Sequence, residues 1–303
     1  MIASGTGFYG LPTCLLKNSA LTLEFLENAG PRIVRLFLND SGENLLAEVP
    51  DMGWETPNGK YYLRGGHRLW HAPETAERTS IPDNNGLQIE EIPNGVRLVQ
   101  PVESQTGIRK TVEITLPDDK PVVVLRHKLR NEGLWPVELA PWAITELPLG
   151  GWAILPQGKK PLGDNQLQPD RFLVLWPYAR WTDPRLHLGD PYFLLSSEPD
   201  ENPIKVGYFN YQGWAGYLRN GTLFSKVFDV QSSARYPDYG CNVEVFSNHR
   251  FLELETLGPL VKLEVGQTID HLEKWELIPG LADVPSVLEF LDRKKLSDLL
   301  VKK

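Results

Sequence analysis

Turn-forming residues recur at short intervals along the whole chain: 25 prolines and 26 glycines are spread through 303 residues rather than gathered in one tract. Between them lie short runs in which apolar and polar residues alternate. Residues 20–26 alternate, Asn28-Ala29-Gly30-Pro31 turns, residues 32–38 alternate again, and Asn39-Asp40-Ser41-Gly42 turns a second time. The same grammar predicts strands over 95–100, 108–116, 122–130, 172–176, 204–208, 215–218, 223–228, 242–246, 250–256, 260–264 and 271–278. Period-two runs bounded by turn residues are strands, and a dozen or more at this spacing make a sandwich or a barrel. The expected fold class is therefore all-β, a large twisted antiparallel β-sandwich.

One segment departs from period two. Over 283–300, Val287, Phe290, Leu291, Leu296, Leu299 and Leu300 recur at spacings closer to three or four. Asp283 caps the start, Pro285 sits just inside it, and lysines follow toward the end, as a helix requires. With no internal repeat or linker, 1–303 reads as one domain, a sandwich over 1–280 with a C-terminal helix within 281–303 packed on it.

Composition closes off several classes. A 41% hydrophobic fraction suits a globular core. No run approaches the roughly 18 apolar residues of a membrane span, and the N-terminus lacks a signal-peptide pattern. A net charge of -8 without a basic stripe disfavours nucleic acid and anionic membranes as partners. Cys14 and Cys241 lie far apart with no redox or metal spacing, which fits a reducing cytoplasm. Asn220-Gly221-Thr222 reads as a turn. Phosphate-binding glycine loops and the Gly-x-Ser-x-Gly elbow are absent, so no cofactor is expected.

Three clusters carry candidate chemistry. Residues 63–74 hold His67, Arg68, Trp70, His71 and Glu74 behind the Gly65-Gly66 pair. Arg68 offers a fork of donors, and Trp70 a flat apolar face for the C–H surface of a sugar ring. His67 and His71 also have a zinc-like spacing. Gly65, Gly66 and Pro73 argue against the helix such a motif needs, no third ligand is near, and no metal is expected. In the second cluster, 242–259, alternation puts Glu253 and Glu255 on one strand face and Leu252, Leu254 and Thr256 on the other. With Glu244, these carboxylates are candidates for a base or a hydroxyl-binding acceptor. The third is aromatic: Trp142, and Trp176 with Arg180 and Trp181, stand among polar neighbours and suit a sugar site. His127, His187 and His271 stand isolated in the sequence and read as satisfied surface or core residues.

These landmarks together resemble the galactose mutarotase (aldose 1-epimerase) superfamily. The 21–46 stretch with its Asn28-Ala29-Gly30 and Asp40-Ser41-Gly42 turns, Pro136-Val137-Glu138-Leu139, Leu254-Glu255-Thr256, Lys262-Leu-Glu-Val-Gly-Gln and Trp275-Glu-Leu are similar to the family's segments in order, across 15–278. Gly-Gly-His-Arg-Leu-Trp and Leu-Glu-Thr-Leu-Gly-Pro point to one bacterial branch. In that family a glutamate takes the anomeric hydroxyl proton while a histidine protonates the ring oxygen. The resemblance implies Glu255 as base and Arg68 as hydroxyl clamp. It places Trp142 where the histidine belongs, and an indole N–H does not ionise. Either His67 or His71 supplies the acid, or the chemistry is lost. The expectation is a carbohydrate-active protein with epimerase-like acid–base chemistry in a concave cleft, or a non-catalytic sugar-binding protein that keeps the cleft.

Overall fold

The computed structural model describes residues 2–158 and 169–293, and the side chains of residues 2–158 and 169–290. It contains twenty-three strands and one helix among these residues. Two large sheets and a two-stranded hairpin account for the strands, and every pairing between them is antiparallel.

The eleven-stranded sheet runs from the N-terminal edge through Arg32–Leu38, His67–Ala72, Val137–Pro148, Phe251–Leu257, Val243–Ser247 and Ile204–Tyr208. The ten-stranded sheet is centred on Thr222–Phe228, Thr268–Pro279, Val122–Asn131 and Ile108–Thr115. One core lies between them. Leu23, Phe25, Leu69, Val245, Leu252 and Leu254 of the first sheet meet Val112, Leu125, Phe224, Trp275 and Leu277 of the second. Alternation drives this: Val123, Leu125, Leu129 and Asn131 are buried, while Arg126 and Arg130 between them are exposed.

The turns follow from residues that accept a left-handed backbone. Asn220 and Gly221, at φ 47° and 76°, make the two-residue link between Trp214–Arg219 and Thr222–Phe228, the type I′ geometry that matches strand twist. The C-terminal helix covers Val284–Arg293, and the rest of the expected helix lies outside the described residues. Asp283 Oδ1 accepts from Ser286 N at 2.9 Å, which caps the first turn. Val287 then packs with Trp214, Leu218, Leu223 and Leu281 on the sandwich.

The hairpin formed by Glu48–Thr56 and Gly59–Gly65 folds over the outer face of the eleven-stranded sheet. Its exit is tight. Arg64, Gly65 and Gly66 have φ of 62°, 95° and 72°, and a Cβ on Gly66 would lie 1.9 Å from Ile33 O. Gly66 serves backbone against backbone, donating to Ala47 O and accepting from Glu146 N.

Candidate functional site

Five neighbouring strands build the outer face beneath the hairpin. Register sets Arg68 opposite Ile144, Ile144 opposite Glu255, and Glu255 opposite Glu244. The next row is Glu146, Glu253, Phe246 and Lys205, and the row on the other side pairs Trp70 with Trp142. Alternation puts all of these on one face, with Leu69, Leu252, Leu254, Val245 and Val206 on the opposite face. The Glu253/Glu255 face read from the sequence is the observed one.

Two cations hold four carboxyls there. Arg68 bonds Glu146 and, at 2.7 Å, Glu253 Oε1. Lys205 Nζ lies 2.8 Å from Glu244 Oε2 and 2.9 Å from Glu255 Oε2. Trp142 Nε1 donates to the same Glu255 oxygen at 2.7 Å. All four carboxyls ionised would leave two buried negative charges unbalanced, so burial favours protonation. Burial accordingly raises Glu146 to about 8 against the pull of Arg68. It raises Glu244 and Glu255 as well, against the pull of Lys205.

Aromatic rings surround this floor. Trp54, Tyr61, Trp70 and Trp142 follow one another at centroid distances of 5.0, 5.5 and 5.5 Å. Arg68 lies 4.4 Å over Trp70, and Lys205 sits 4.7 Å from both Trp142 and Trp176. Gly207 admits this crowding, because a Cβ there would be 2.8 Å from Cys241 Sγ and 3.3 Å from Trp176. Cys14 and Cys241 are both free thiols.

The open space forms two adjoining hollows. One, about 260 Å³, is walled by Trp54, Trp70, Trp142, Tyr178, Phe246 and Phe251, with Arg68, Glu74, Lys205 and Glu253 in its lining. The other, about 310 Å³, is lined by Glu74, Trp142, Trp176, Lys205, Asp238 and Glu244. Glu255 is fully buried and lines neither. A larger hollow of about 510 Å³ beside Phe8, Tyr9, Tyr62 and Arg64 has no carboxyl or histidine in its lining. Its Arg64 is bound by Asp83 and Asn84.

No protein-family model matches the sequence, and no curated protein does. Solved structures do match. A galactose mutarotase-like protein from Lactobacillus casei is 11% identical with a TM-score of 0.58, over 88% of this chain and 100% of that one. A galactose mutarotase related enzyme from Lactobacillus acidophilus is 9% identical with a TM-score of 0.52, over 90% and 99%. The chain has the galactose-mutarotase-like fold. A TPR-domain containing protein from Parabacteroides distasonis, 14% identical with a TM-score of 0.60, matches over 88% of this chain, which spans 47% of that longer one.

On this mutarotase-like sandwich the expected site residues divide. Arg68, Trp70, Trp142, Glu244, Glu253 and Trp176 line the two hollows, and Glu255 lies beneath them. Arg180 stands apart, reaching Asp183 at 3.4 Å and Asp200 at 3.6 Å. The acid role expected of His67 or His71 is not met by this geometry. Both sit on the inner face of the His67–Ala72 strand, each 1% exposed, turned away from Arg68 and Trp70. His71 faces Glu103, whose carboxyl Lys110 holds at 2.5 Å.

His67 enters a polar knot between the sheets, and His127 and His271, isolated in sequence, join it. His67 Nε2 meets His127 Nε2 at 2.8 Å, and His67 Nδ1 meets Thr145 Oγ1 at 2.8 Å. His127 Nδ1 reaches the carbonyl of His271 at 3.0 Å, so that nitrogen carries the proton. His67 Nε2–H then donates to His127. Thr256 donates to Glu273 at 2.5 Å and accepts from His271 at 2.7 Å. Lys226 balances Glu273 at 3.0 Å. Ligand atoms of His67, His127 and Glu273 lie within 4.8 Å of one another, the spacing of a metal site. Yet Lys226 already neutralises the one carboxylate, so an added dication would bring charge with no counterpart. The knot is self-sufficient as a proton network.

Sequence reasoning missed Lys205, Glu146, Trp54, Tyr178 and Asp238. Lys205 left a signal: it is the one charged residue in the apolar run Ile204–Tyr208. Glu146 depends on its long-range register with Glu253, Trp54 on the hairpin that carries it, and Tyr178 and Asp238 on turns whose placement no local pattern contains.

Proposed function

We propose that this chain is a carbohydrate-binding protein whose cleft takes a sugar ring without opening it. The aromatic walls suit the C–H faces of a pyranose, and the floor groups suit its hydroxyls. What carries the non-catalytic half of the reading is the state of Glu255. A general base must reach the proton it removes. Glu255 is buried, one oxygen is taken by Trp142 and Lys205, and the resemblance read from the sequence implies the indole of Trp142 where the mutarotases carry their histidine. Among the described residues no imidazole lines either hollow.

Two measurements test this together. Tryptophan fluorescence, with Trp54, Trp70, Trp142 and Trp176 as reporters, should titrate with aldoses. Polarimetry of freshly dissolved anomers should show the same rate with and without protein. An acceleration that disappears in Glu255→Gln would sink the non-catalytic reading and restore the epimerase one.

A further inference from the structure

The cleft's charge selects among sugars, an inference that rests on the sugar-binding reading above. We infer that the preferred ligand is an amine-bearing sugar, a hexosamine whose nitrogen is protonated rather than acetylated. Both floor cations are already committed. Arg68 is shared by Glu146 and Glu253, and Lys205 by Glu244 and Glu255. Neither has the spare charge that a phosphate or uronate would require.

The rim, in contrast, carries carboxyls that stand outside those pairs. Glu74 lines both hollows and Asp238 lines one, and neither pairs with a cation among the described residues. Glu253 gives Arg68 only one oxygen. Glu244, fully buried and in the lining of the second hollow, offers an Oε1 with no hydrogen-bond partner as an acceptor for an N–H, whether or not its carboxyl is ionised. Aromatic faces complete the set, because ring faces attract an ammonium as they attract the C–H side of a sugar. The protein's own Lys205, held between Trp142 and Trp176, is an example of an ammonium settled in this surrounding. Unpaired rim carboxyls, stacking walls and, among the described residues, no free cation in the lining favour a positively charged, hydroxylated ring.

Calorimetric and fluorescence titrations at low salt should use D-glucosamine and D-galactosamine against glucose, galactose, N-acetylglucosamine, glucose 6-phosphate and glucuronate. The amino sugars should bind about tenfold more tightly than the neutral parents, the anionic sugars more weakly still. The gap should shrink at high salt through screening. Glu74→Gln with Asp238→Asn, at the accessible rim, should bring the amino sugars down to the neutral level, and Glu74→Asp should retain the preference. Equal binding of amino and neutral sugars, or tightest binding of an anionic one, overturns the amine preference and leaves the sugar-binding reading standing. Equal binding of a simple aliphatic amine rejects recognition of the ring. Silence across the whole panel brings down both.

Discussion

Trp142 Nε1–H donates to Glu255 Oε2 at 2.7 Å across neighbouring strands, in a site where Glu255 has no solvent exposure. The other carboxyl oxygen has no hydrogen-bond partner. Trp142→Phe keeps an aromatic side chain, smaller than the indole, and removes the donor, so a buried acceptor loses a bond it cannot replace with water. The expected loss is about 1–3 kcal/mol of unfolding free energy, read from urea denaturation. A variant as stable as the parent would mean that Lys205 alone holds Glu255.

Lys205→Met tests the other half of that clamp. It leaves Glu244 and Glu255 without their cation, and burial already pushes both carboxyls up. Breaking a buried pair from one side costs about 3–5 kcal/mol. Protonation relieves the unpaired carboxyls, so the deficit measured at neutral pH should narrow toward pH 5. A deficit independent of pH would assign it to lost packing over Trp142 and Trp176.

The histidine knot between the sheets and the carboxyl floor on the outer face of the eleven-stranded sheet pull stability in opposite directions with pH. Burial depresses His67, His127 and His271 below their ordinary 6.5, with His271 brought to about 3. Below 6.5 the unfolded chain binds protons that these imidazoles refuse, so their contribution is lost as pH falls. Glu146, Glu244 and Glu255 are raised above 4.5, and their contribution is lost as pH rises from there, through about 8 for Glu146. The slopes oppose between about 4.5 and 6.5, so stability should peak in that window. Each unmatched proton is worth about 1.4 kcal/mol per pH unit. Denaturant midpoints from pH 3 to 9 should trace this dome, and a midpoint still rising at pH 8 would contradict it.

Gly66→Ala should be among the most damaging single-methyl changes in the protein. Its Cβ would fall 1.9 Å from Ile33 O at a φ of 72°. The neighbour is backbone in a paired strand and cannot yield cheaply. A loss of at least about 3 kcal/mol, or failure to accumulate as folded protein, is expected. Gly42→Ala, where a Cβ would meet nothing within 4 Å at a φ of 66°, is the control and should cost much less.

Period two made most of the sandwich legible, because strands such as Ile108–Thr115 bury every second residue. It failed at the centre of the larger sheet. His67–Ala72 is buried on both faces, and its charged residues are satisfied by partners far away in the chain, so it reads as a polar loop and folds as a strand. The hairpin over Glu48–Gly65 was unread for a related reason: its register shifts between Val49 and Gly53, which interrupts alternation. Within the site, Arg68, Trp70, Trp142 and Glu255 could be named from residue type and resemblance. Which face each histidine took could not, because face is fixed by register with Val137–Pro148.

The hairpin that closes over the cleft belongs to neither large sheet. It contributes Met52, Trp54 and Leu63 to the wall, and is anchored from outside by Arg32, which binds Leu63 O, Tyr61 Oη and Asp83. The floor is thus bound into strand register, where one substitution disturbs several neighbours. The wall is a separate panel pinned to that frame through the buried Tyr61 and Leu63. Trp54, 40% exposed, is the part of the panel that can change without touching those contacts, so the shape of the hollow and the stability of the fold can vary independently there.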